Sequence, residues 1–521
     1  MHTPKHLFFM IVAALLSMHQ ISNAQTPSWK WAKWSNGTQT TVRSICADAS
    51  GNLYGTGSYA SQTIFDTSTL TVMANGAFVV KYNTSGALIW AKNIKNSAFG
   101  TLDAKSIAID GTGNLYLSGA YSGTMEIGSK TLTGGGHYVA KFDNSGTIQW
   151  VVNTQGSNAV AANGTGVFVA GGSIIQKFDA TGTSAWTITG VKSNQGYTNI
   201  FSVAINSSGN LILAGDIDDN WTFGTKSITG GYQNIILMEV NTAGTVTWTK
   251  VLGTSTNGGD HAQHICLDAW DNIIMTGKVG GATTMNTVSL GTKNGYLVKL
   301  TPTGSAYWGT SLTNTATIYG EGGIFVASDP QGAMYVTGGF GNVDVTDGGT
   351  NVYIKGIKFG GNAYIFKFDS AGVFKSALSN YEHPTINNSR GMAIVANASG
   401  VYFGGTCAPN SEWGTLKVTG YGSVFAKIDG SSTSNGMNAK NKEIDFDLYP
   451  NPCKGNLYIN LKSEVKNPVI INITSISGVS IYHSEMTGQI NYIDLNSIAK
   501  GIYIARLITN EGIISKKIVV D

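Results

Sequence analysis

Ser106-Ile-Ala-Ile-Asp110, Gly111-Thr-Gly-Asn114, Leu115-Tyr-Leu-Ser-Gly119 reads as two alternating apolar stretches joined by a Gly-Asn turn, the pattern of a β-hairpin. After an excursion the chain resumes as Tyr138-Val-Ala-Lys-Phe-Asp143, Asn144-Ser-Gly146, Thr147-Ile-Gln-Trp150, a second hairpin. The whole phrase recurs. Gly51-Asn52, Gly209-Asn210 and Asp271-Asn272 repeat the first turn, with Gly332-Ala333 and Gly400-Val401 as looser copies. Lys81-Tyr82-Asn83, Lys177-Phe178-Asp179, Lys367-Phe368-Asp369 and Lys427-Ile428-Asp429 repeat the third strand, and Val240-Asn241 and Lys299-Leu300-Thr301 are weaker versions. The period is about 60 residues with one contracted copy, so the unit is four short strands. Four-strand units repeated radially make a β-propeller, in which each blade buries its faces on its neighbours.

Composition agrees. Of 521 residues only 12% are charged and 67 are Gly, against about 25% charged and ~7% Gly in ordinary soluble domains. With 42% apolar residues and a net charge of +3, disorder, coiled coils and a nucleic-acid partner are all disfavoured.

The fourth-strand aromatic counts the blades. Trp90, Trp150, Trp186, Trp248, Trp308 and Phe374 make six, whereas the Lys-aromatic-Asp step and its variants make seven. The last copy runs from Asp429-Gly430 into Ser-Ser-Thr-Ser-Asn without a fourth strand. Trp31-Ala32-Lys33 repeats Trp90-Ala91-Lys92 residue for residue. The expected architecture is therefore all-β: a seven-bladed β-propeller over 25–430, closed by its N-terminal strand, which removes open sheet edges. These units resemble the β-propeller repeat family of secreted bacterial proteins, with its phrase Asp-x-x-Gly-Asn-hydrophobic-Tyr-x-x-Gly. That resemblance bears on fold and says little of activity.

Lys5, the apolar run Leu7–Leu16 and Ser22-Asn23-Ala24 before Gln25 read as a signal peptide over 1–24. No later run approaches the ~18 to 20 apolar residues that span a bilayer, so no transmembrane segment is expected. Cys46 and Cys266 share one repeat phase, and Cys407 and Cys453 fall in different domains; no disulfide is expected. Residues 431–444 are a polar linker. Beyond it, over 445–521, period-2 alternation returns in Leu457–Leu461, Val469–Thr474, Gly501–Leu507 and Ile513–Val520, the spacing of a small immunoglobulin-like β-sandwich. Leu448-Tyr449-Pro450-Asn451-Pro452, Ser477-Gly478, Ile493-Asp494-Leu495, Lys500-Gly501-Ile502-Tyr503 and Lys516-Lys517-Ile518-Val519-Val520 resemble the type IX (Por) secretion-system C-terminal sorting domain of Bacteroidota. The resemblance implies that Tyr449, Pro450, Asn451, Pro452, Gly501, Tyr503 and Lys516 belong to the sorting signal. It also implies the type IX machinery as a partner, and release or attachment at the outer cell surface.

For ligands the sequence offers three groups of residues. Arg43 and Arg390, read as matching positions in blades one and seven, and Lys105, their equivalent in blade two, are expected to form a cationic arc at the central channel. Such an arc suits an anionic glycan; the alternative is pairing with blade-edge carboxylates. Trp221 and Tyr121 lie off the recurrent packing phase of Phe65, Ile127, Phe223 and Trp413, and are candidate ligand contacts on the long second-to-third-strand excursions. Blade three lacks that excursion, which leaves a notch. Asp216, Asp218 and Asp219 offer oxygen ligands for Ca²⁺, or simply a solvated acidic loop; no other cofactor is expected. His261-Ala-Gln-His264 lacks the Glu and helical setting of a zinc protease, and no nucleophile elbow or phosphate loop is present. The expectation is a secreted or surface-displayed, non-catalytic module that binds an extracellular glycan or surface protein. The alternative is a polysaccharide-active hydrolase or lyase with its site on the long-loop face.

Overall fold

The computed structural model describes residues 27–37, 39–97, 100–193, 196–253, 259–281, 283–286, 288–290, 295–312, 324–339, 351–354, 357–360, 363–380, 389–429, 446–462, 469–475, 480–486, 488–496, 498–509 and 512–521. The expected signal peptide (1–24) and linker (431–444) lie outside the described residues. Among the described residues there is no helix; the chain is all-β.

Ahead of the C-terminal domain the strands pair as seven four-stranded antiparallel units. In the second unit Leu102–Ile109, Leu115–Tyr121, Gly136–Phe142 and Ile148–Thr154 pair in chain order. The seventh is built from Arg390–Asn397, Gly400–Cys407 and Gly422–Asp429, and takes the N-terminal Ser28–Asn36 as its fourth strand. Trp31 stands opposite Lys427, the register also seen in Lys81–Trp90, Lys141–Trp150 and Lys177–Trp186. The first strands of the units touch their neighbours in chain order, and that of the seventh touches that of the first.

Three recurrent devices explain why these residue types recur. In the first turn Asp110 accepts hydrogen bonds from Thr112 N, Asn114 N, Asn114 Nδ2 and Tyr116 Oη, at 2.9 to 3.1 Å. Burial works against its charge, but the bonds from Asn114 and Thr112 prevail and hold its carboxyl below the usual carboxylate range. The Asp-x-x-Gly-Asn-x-Tyr phrase is thus a closed turn network. The glycine that ends the phrase sits against a carbonyl: a Cβ on Gly57, Gly119 or Gly277 would fall 1.9 to 2.1 Å from the oxygen of Thr41, Asp103 or His261. At the joints, each fourth-strand Trp lies on the glycine of the next unit's second turn. A Cβ on Gly182, Gly244 or Gly372 would stand 2.7 to 2.9 Å from Trp150, Trp186 or Trp308. Trp31 meets Gly86 at 2.7 Å in the same way, and Trp31 Nε1 donates to Thr84 O at 3.1 Å as Trp150 Nε1 donates to Ala180 O at 2.9 Å.

The excursions differ from the expected open loops. Thr124–Ile127 and Lys130–Thr133 form a hairpin that pairs with Leu88–Asn96, the outer strand of the preceding unit. Asn220–Phe223 and Lys226–Thr229 do the same to Ser184–Lys192. Their recurrent side chains Ile127 and Phe223, like Phe65 and Trp413, are buried. These segments cover sheet edges because an unpaired outer strand exposes backbone donors and acceptors. In unit three Gly166–Gly171 is followed directly by Ile174–Phe178 with no hairpin between them, and Gly171 and Gly156 approach backbone to backbone, a Cβ on Gly156 meeting Gly171 O at 2.7 Å.

In the C-terminal domain Phe446–Tyr449, Asn456–Leu461 and Ile490–Asp494 form one antiparallel sheet; Val469–Ser475, Ser480–Met486, Gly501–Thr509 and Gly512–Val520 form another. Leu457, Ile459 and Ile493 of the first pack with Ile471, Ala505 and Ile518 of the second in one buried core.

Candidate functional site

A cavity of about 670 Å³ is lined by the first strands of all seven units. Its wall is shaped by β-bulges. The register slips between Val42 and Ser44, Ala104 and Ser106, Ile200 and Ser202, Ala262 and His264, and Gly391 and Ala393. A bulge inserts one residue and re-aims its side chain. The inserted residues are Arg43, Lys105, Phe201, Gln263 and Met392, and all five line the cavity.

The next residue along joins neighbouring units. Ser44, Ser106 and Ser202 Oγ accept the N–H groups of Ile107, Val160 and Ile265, at 3.0 to 3.2 Å. His264 Nδ1 takes that place for Val326 N at 3.5 Å. Burial pushes its imidazole down to about 4, with the Val326 contact opposing. It is a neutral ring held as an acceptor.

Polar side chains bridge successive units at the bulge level. Arg43 Nε lies 3.4 Å from Asp103 Oδ1, an ion pair by distance, although its N–H is not aimed at a hydrogen-bond acceptor. Ser58 Oγ donates to the same Asp103 oxygen at 2.8 Å. Lys105 Nζ donates to Asn158 Oδ1 at 3.0 Å, and Asn158 Nδ2 to Asn199 Oδ1 at 2.7 Å. His137 Nδ1 meets Ser157 Oγ at 2.8 Å; burial, then the Lys105 charge, lowers the His137 pKa. The described polar contact of the Lys105 ammonium is thus a neutral amide.

Several expected site residues need correction. Arg390 is opposite Thr406, as Asp103 is opposite Ala120, so it matches Asp103 and stands two residues before the bulge that Arg43 and Lys105 occupy. Its side chain lies over Gly339 of unit six, whose Cβ would meet Arg390 Cγ at 2.5 Å, while Arg43 leans toward unit two. The three cations form no arc. Trp221 is 7% exposed and donates through Nε1 to Asp218 O; Tyr121 is 3% exposed and lies 2.9 Å from Asn153 Oδ1. Both are packing residues. Asp216 is buried and turned to His261 Nδ1 and Ala262 N, away from Asp218 and Asp219. Burial raises its pKa, with His261 opposing. Among the described residues no three His, Cys, Asp or Glu side chains gather as a metal site. Asn158, Asn199, Gln263 and His264 were missed; the visible signal was the residue just before Ser in Arg43-Ser44, Lys105-Ser106 and Phe201-Ser202.

The motif residues of the C-terminal domain tie its two ends together. Asn451 Nδ2 donates to Lys517 O at 2.6 Å and its Oδ1 accepts Val519 N at 2.8 Å. Lys516 Nζ bonds Phe446 O and lies 5.0 Å over the Phe446 ring. Tyr503 Oη donates to Ala499 O at 2.6 Å, and Gly501 pairs with Val520. Pro450 and Pro452 flank Asn451, and Tyr449 packs on Tyr458 with ring centroids 5.8 Å apart.

Residues 447–521 match the family described as the secretion system C-terminal sorting domain. The protein is therefore a type IX secretion substrate, sent to the cell surface or the extracellular space, and its export partner is that machinery. Over 424 residues, 69% of its length, the chain is 25% identical to an uncharacterized WD repeat-containing protein of Acanthamoeba polyphaga mimivirus, and the match spans 29% of that relative. A crystal structure of dimeric latent PorU from Porphyromonas gingivalis aligns over 80% of this chain and 32% of its own, at 10% identity and a TM-score of 0.13. A likeness that slight carries no argument. No helix among the described residues is long and apolar enough to cross a membrane.

Proposed function

We propose that residues 25–430 form a seven-bladed β-propeller closed by its N-terminal strand, and that it is a non-catalytic binding module. An N-terminal signal peptide (1–24) and the immunoglobulin-like sorting domain (445–521) deliver it past a short linker (431–444). The cyclic contact of the seven first strands supports the ring, as does the WD-repeat name of the viral relative. The ligand class is an anionic extracellular glycan or an acidic surface-protein group, bound at the channel mouth. One observation carries this reading: adjacent bulges present Arg43 and Lys105 to a cavity in which Asp103, beside Arg43, is the one lining carboxylate among the described residues, and the described polar contact of Lys105 is a neutral amide. The alternative is a polysaccharide-active hydrolase or lyase with its site on the long-loop face, which requires an acid–base pair facing substrate there.

The test is binding of the secreted protein to an array of carboxylated and sulfated glycans, beside a pull-down of surface proteins. Arg43→Gln with Lys105→Gln weakens binding by about ten- to a hundredfold, the range for charge-assisted hydrogen bonds; Arg390→Gln leaves it unchanged. Binding that survives the double substitution refutes the site, and turnover of any polysaccharide refutes the non-catalytic reading.

A further inference from the structure

The joint between units one and two differs from the others in its chemistry. Lys81, on the third strand of unit one, is 8% exposed. Its Nζ lies 2.5 Å from Asn144 Oδ1 and 3.4 Å from Asn144 O, and sits 5.0 Å over the Tyr54 ring. The amide carbon is one carbonyl bond further, so Nζ is within about 3.7 Å of it, close to a near-attack distance. Tyr54 Oη stands 2.9 Å from Asn144 Oδ1 and 3.1 Å from Asp48 Oδ2. The residues that hold this turn position in other units are Thr84, Ala180, Thr242, Pro302 and Ser370, none of which carries an amide. There the lysines reach other oxygens, Lys141 Nζ to Ala180 O at 3.3 Å, and Lys299 Nζ to Ser370 O at 3.4 Å and to the Asp268 carboxylate at 2.8 Å.

We propose that Lys81 and Asn144 condense into an intramolecular isopeptide bond that ties unit one to unit two. The nucleophile is the neutral amine. Burial lowers the Lys81 pKa, with the Asp48 charge opposing, so the neutral form is more accessible than for a lysine in water. The Nζ lone pair attacks Asn144 Cγ, and the carbonyl π electrons move to Oδ1; the single Tyr54 hydroxyl proton, which lies within reach of both Asp48 Oδ2 and Asn144 Oδ1, turns to Oδ1 as charge develops there. Asp48 is a positioning residue, holding Tyr54 between carboxylate and amide. Asn144 is exposed, so water carries a proton from Nζ to Nδ2. The Cγ–Nδ2 bond then breaks, ammonia leaves, and a secondary amide remains. Nothing is oxidised or reduced. Among the described residues no two cysteines are joined in a disulfide, so the isopeptide would supply a covalent tie to a protein working outside the cell.

The test is peptide mapping of the mature secreted protein by tandem mass spectrometry. The expected result is a branched peptide joining the Lys81 and Asn144 segments, lighter by one ammonia, with no tryptic cleavage after Lys81. It is absent in Lys81→Met and in Asn144→Ala. In Tyr54→Phe it forms about a hundredfold more slowly, as when one oxyanion donor is lost. Succinimide at Asn144 or cyclisation of an N-terminal Gln25 also loses ammonia, so the branch itself decides. Recovery of all the material as linear peptides, with Lys81 unmodified, overturns the proposal.

Discussion

Replacing Trp31 by Ala tests whether the N-terminal strand is a full member of the ring. Trp31 is half-buried, against Gly86 of unit one and with its Nε1 on Thr84 O. A fully buried Trp→Ala change costs about 3–5 kcal/mol; half-burial roughly halves that, and the exposed hydrogen bond adds about 0.5–1 kcal/mol. The sum is about 2–3 kcal/mol, paid locally where Ser28–Asn36 opens from Gly422–Asp429. Native-state hydrogen exchange reads local opening directly. The amides of Gly422–Asp429 that face the N-terminal strand should exchange roughly 30- to 150-fold faster, at about 1.4 kcal/mol per factor of ten. Trp150 makes the same contact, on Gly182 and Ala180 O, and is also half-buried. Trp150→Ala should therefore speed exchange in Gly136–Phe142 by a similar factor. If Trp150→Ala behaves so and Trp31→Ala changes nothing in Gly422–Asp429, the seventh joint is not equivalent to the others, and closure by that strand is refuted.

Gly119→Ala places a Cβ 2.1 Å from Asp103 O and 2.8 Å from the Tyr138 ring, and should lose about 1–3 kcal/mol in urea denaturation. Gly111→Ala, with nothing within 4 Å of its Cβ, should stay within about 0.5 kcal/mol. For His264 the sign follows from its folded pKa, lowered from 6.5 to about 4. The unfolded chain binds the proton first, so this contribution to stability falls as pH drops from about 6.5 to about 4, by at most about 3 kcal/mol. His264→Gln should flatten that part of the urea-midpoint profile; His137 acts in the same direction and Asp216 in the opposite one. A profile unchanged by His264→Gln contradicts the neutral-acceptor role.

What was legible in the sequence was local. Asp110 through Tyr116 closes its own network within one hairpin, and the fourth-strand Trp announces itself by its fixed distance from the preceding turn. Trp31 was recognisable for the same reason. The bulges were not, because an inserted residue leaves no composition signature; without them nothing showed that Met392, and not Arg390, is the residue of unit seven that shares the position of Arg43. The partner of Arg43 is Asp103, in the following unit, and such a pairing needs the lateral order of strands as well as their sequence. Trp221 and Tyr121 looked free because their excursions were read as loops. As strands laid on a neighbour's edge, or the end of a strand beside one, those segments bury alternate residues by the period-2 rule.

The scarcity of charge and the chemistry of the joints have one cause. The recurrent joint contacts are an aromatic ring on a glycine, a serine oxygen or the His264 nitrogen on the next strand's N–H, and, in several units, a lysine on a turn carbonyl or amide; few of these need a carboxylate. Such contacts are individually weak, and the seventh is also distant in sequence, with Ser35 Oγ accepting Ser423 N across 388 residues. Closing a free loop of that length costs about 5 kcal/mol beyond a constant, more than the Trp31 contact returns. The strand must therefore add its whole ladder, from Ser28 opposite Asp429 to Asn36 opposite Gly422. It is also favoured only once the six other joints have brought the chain ends together, which shortens the effective loop. In the proposed ring, closure by this strand is therefore coupled to the other joints. A tie between units one and two would strengthen the partner against which Trp31 docks without adding a charge to the surface.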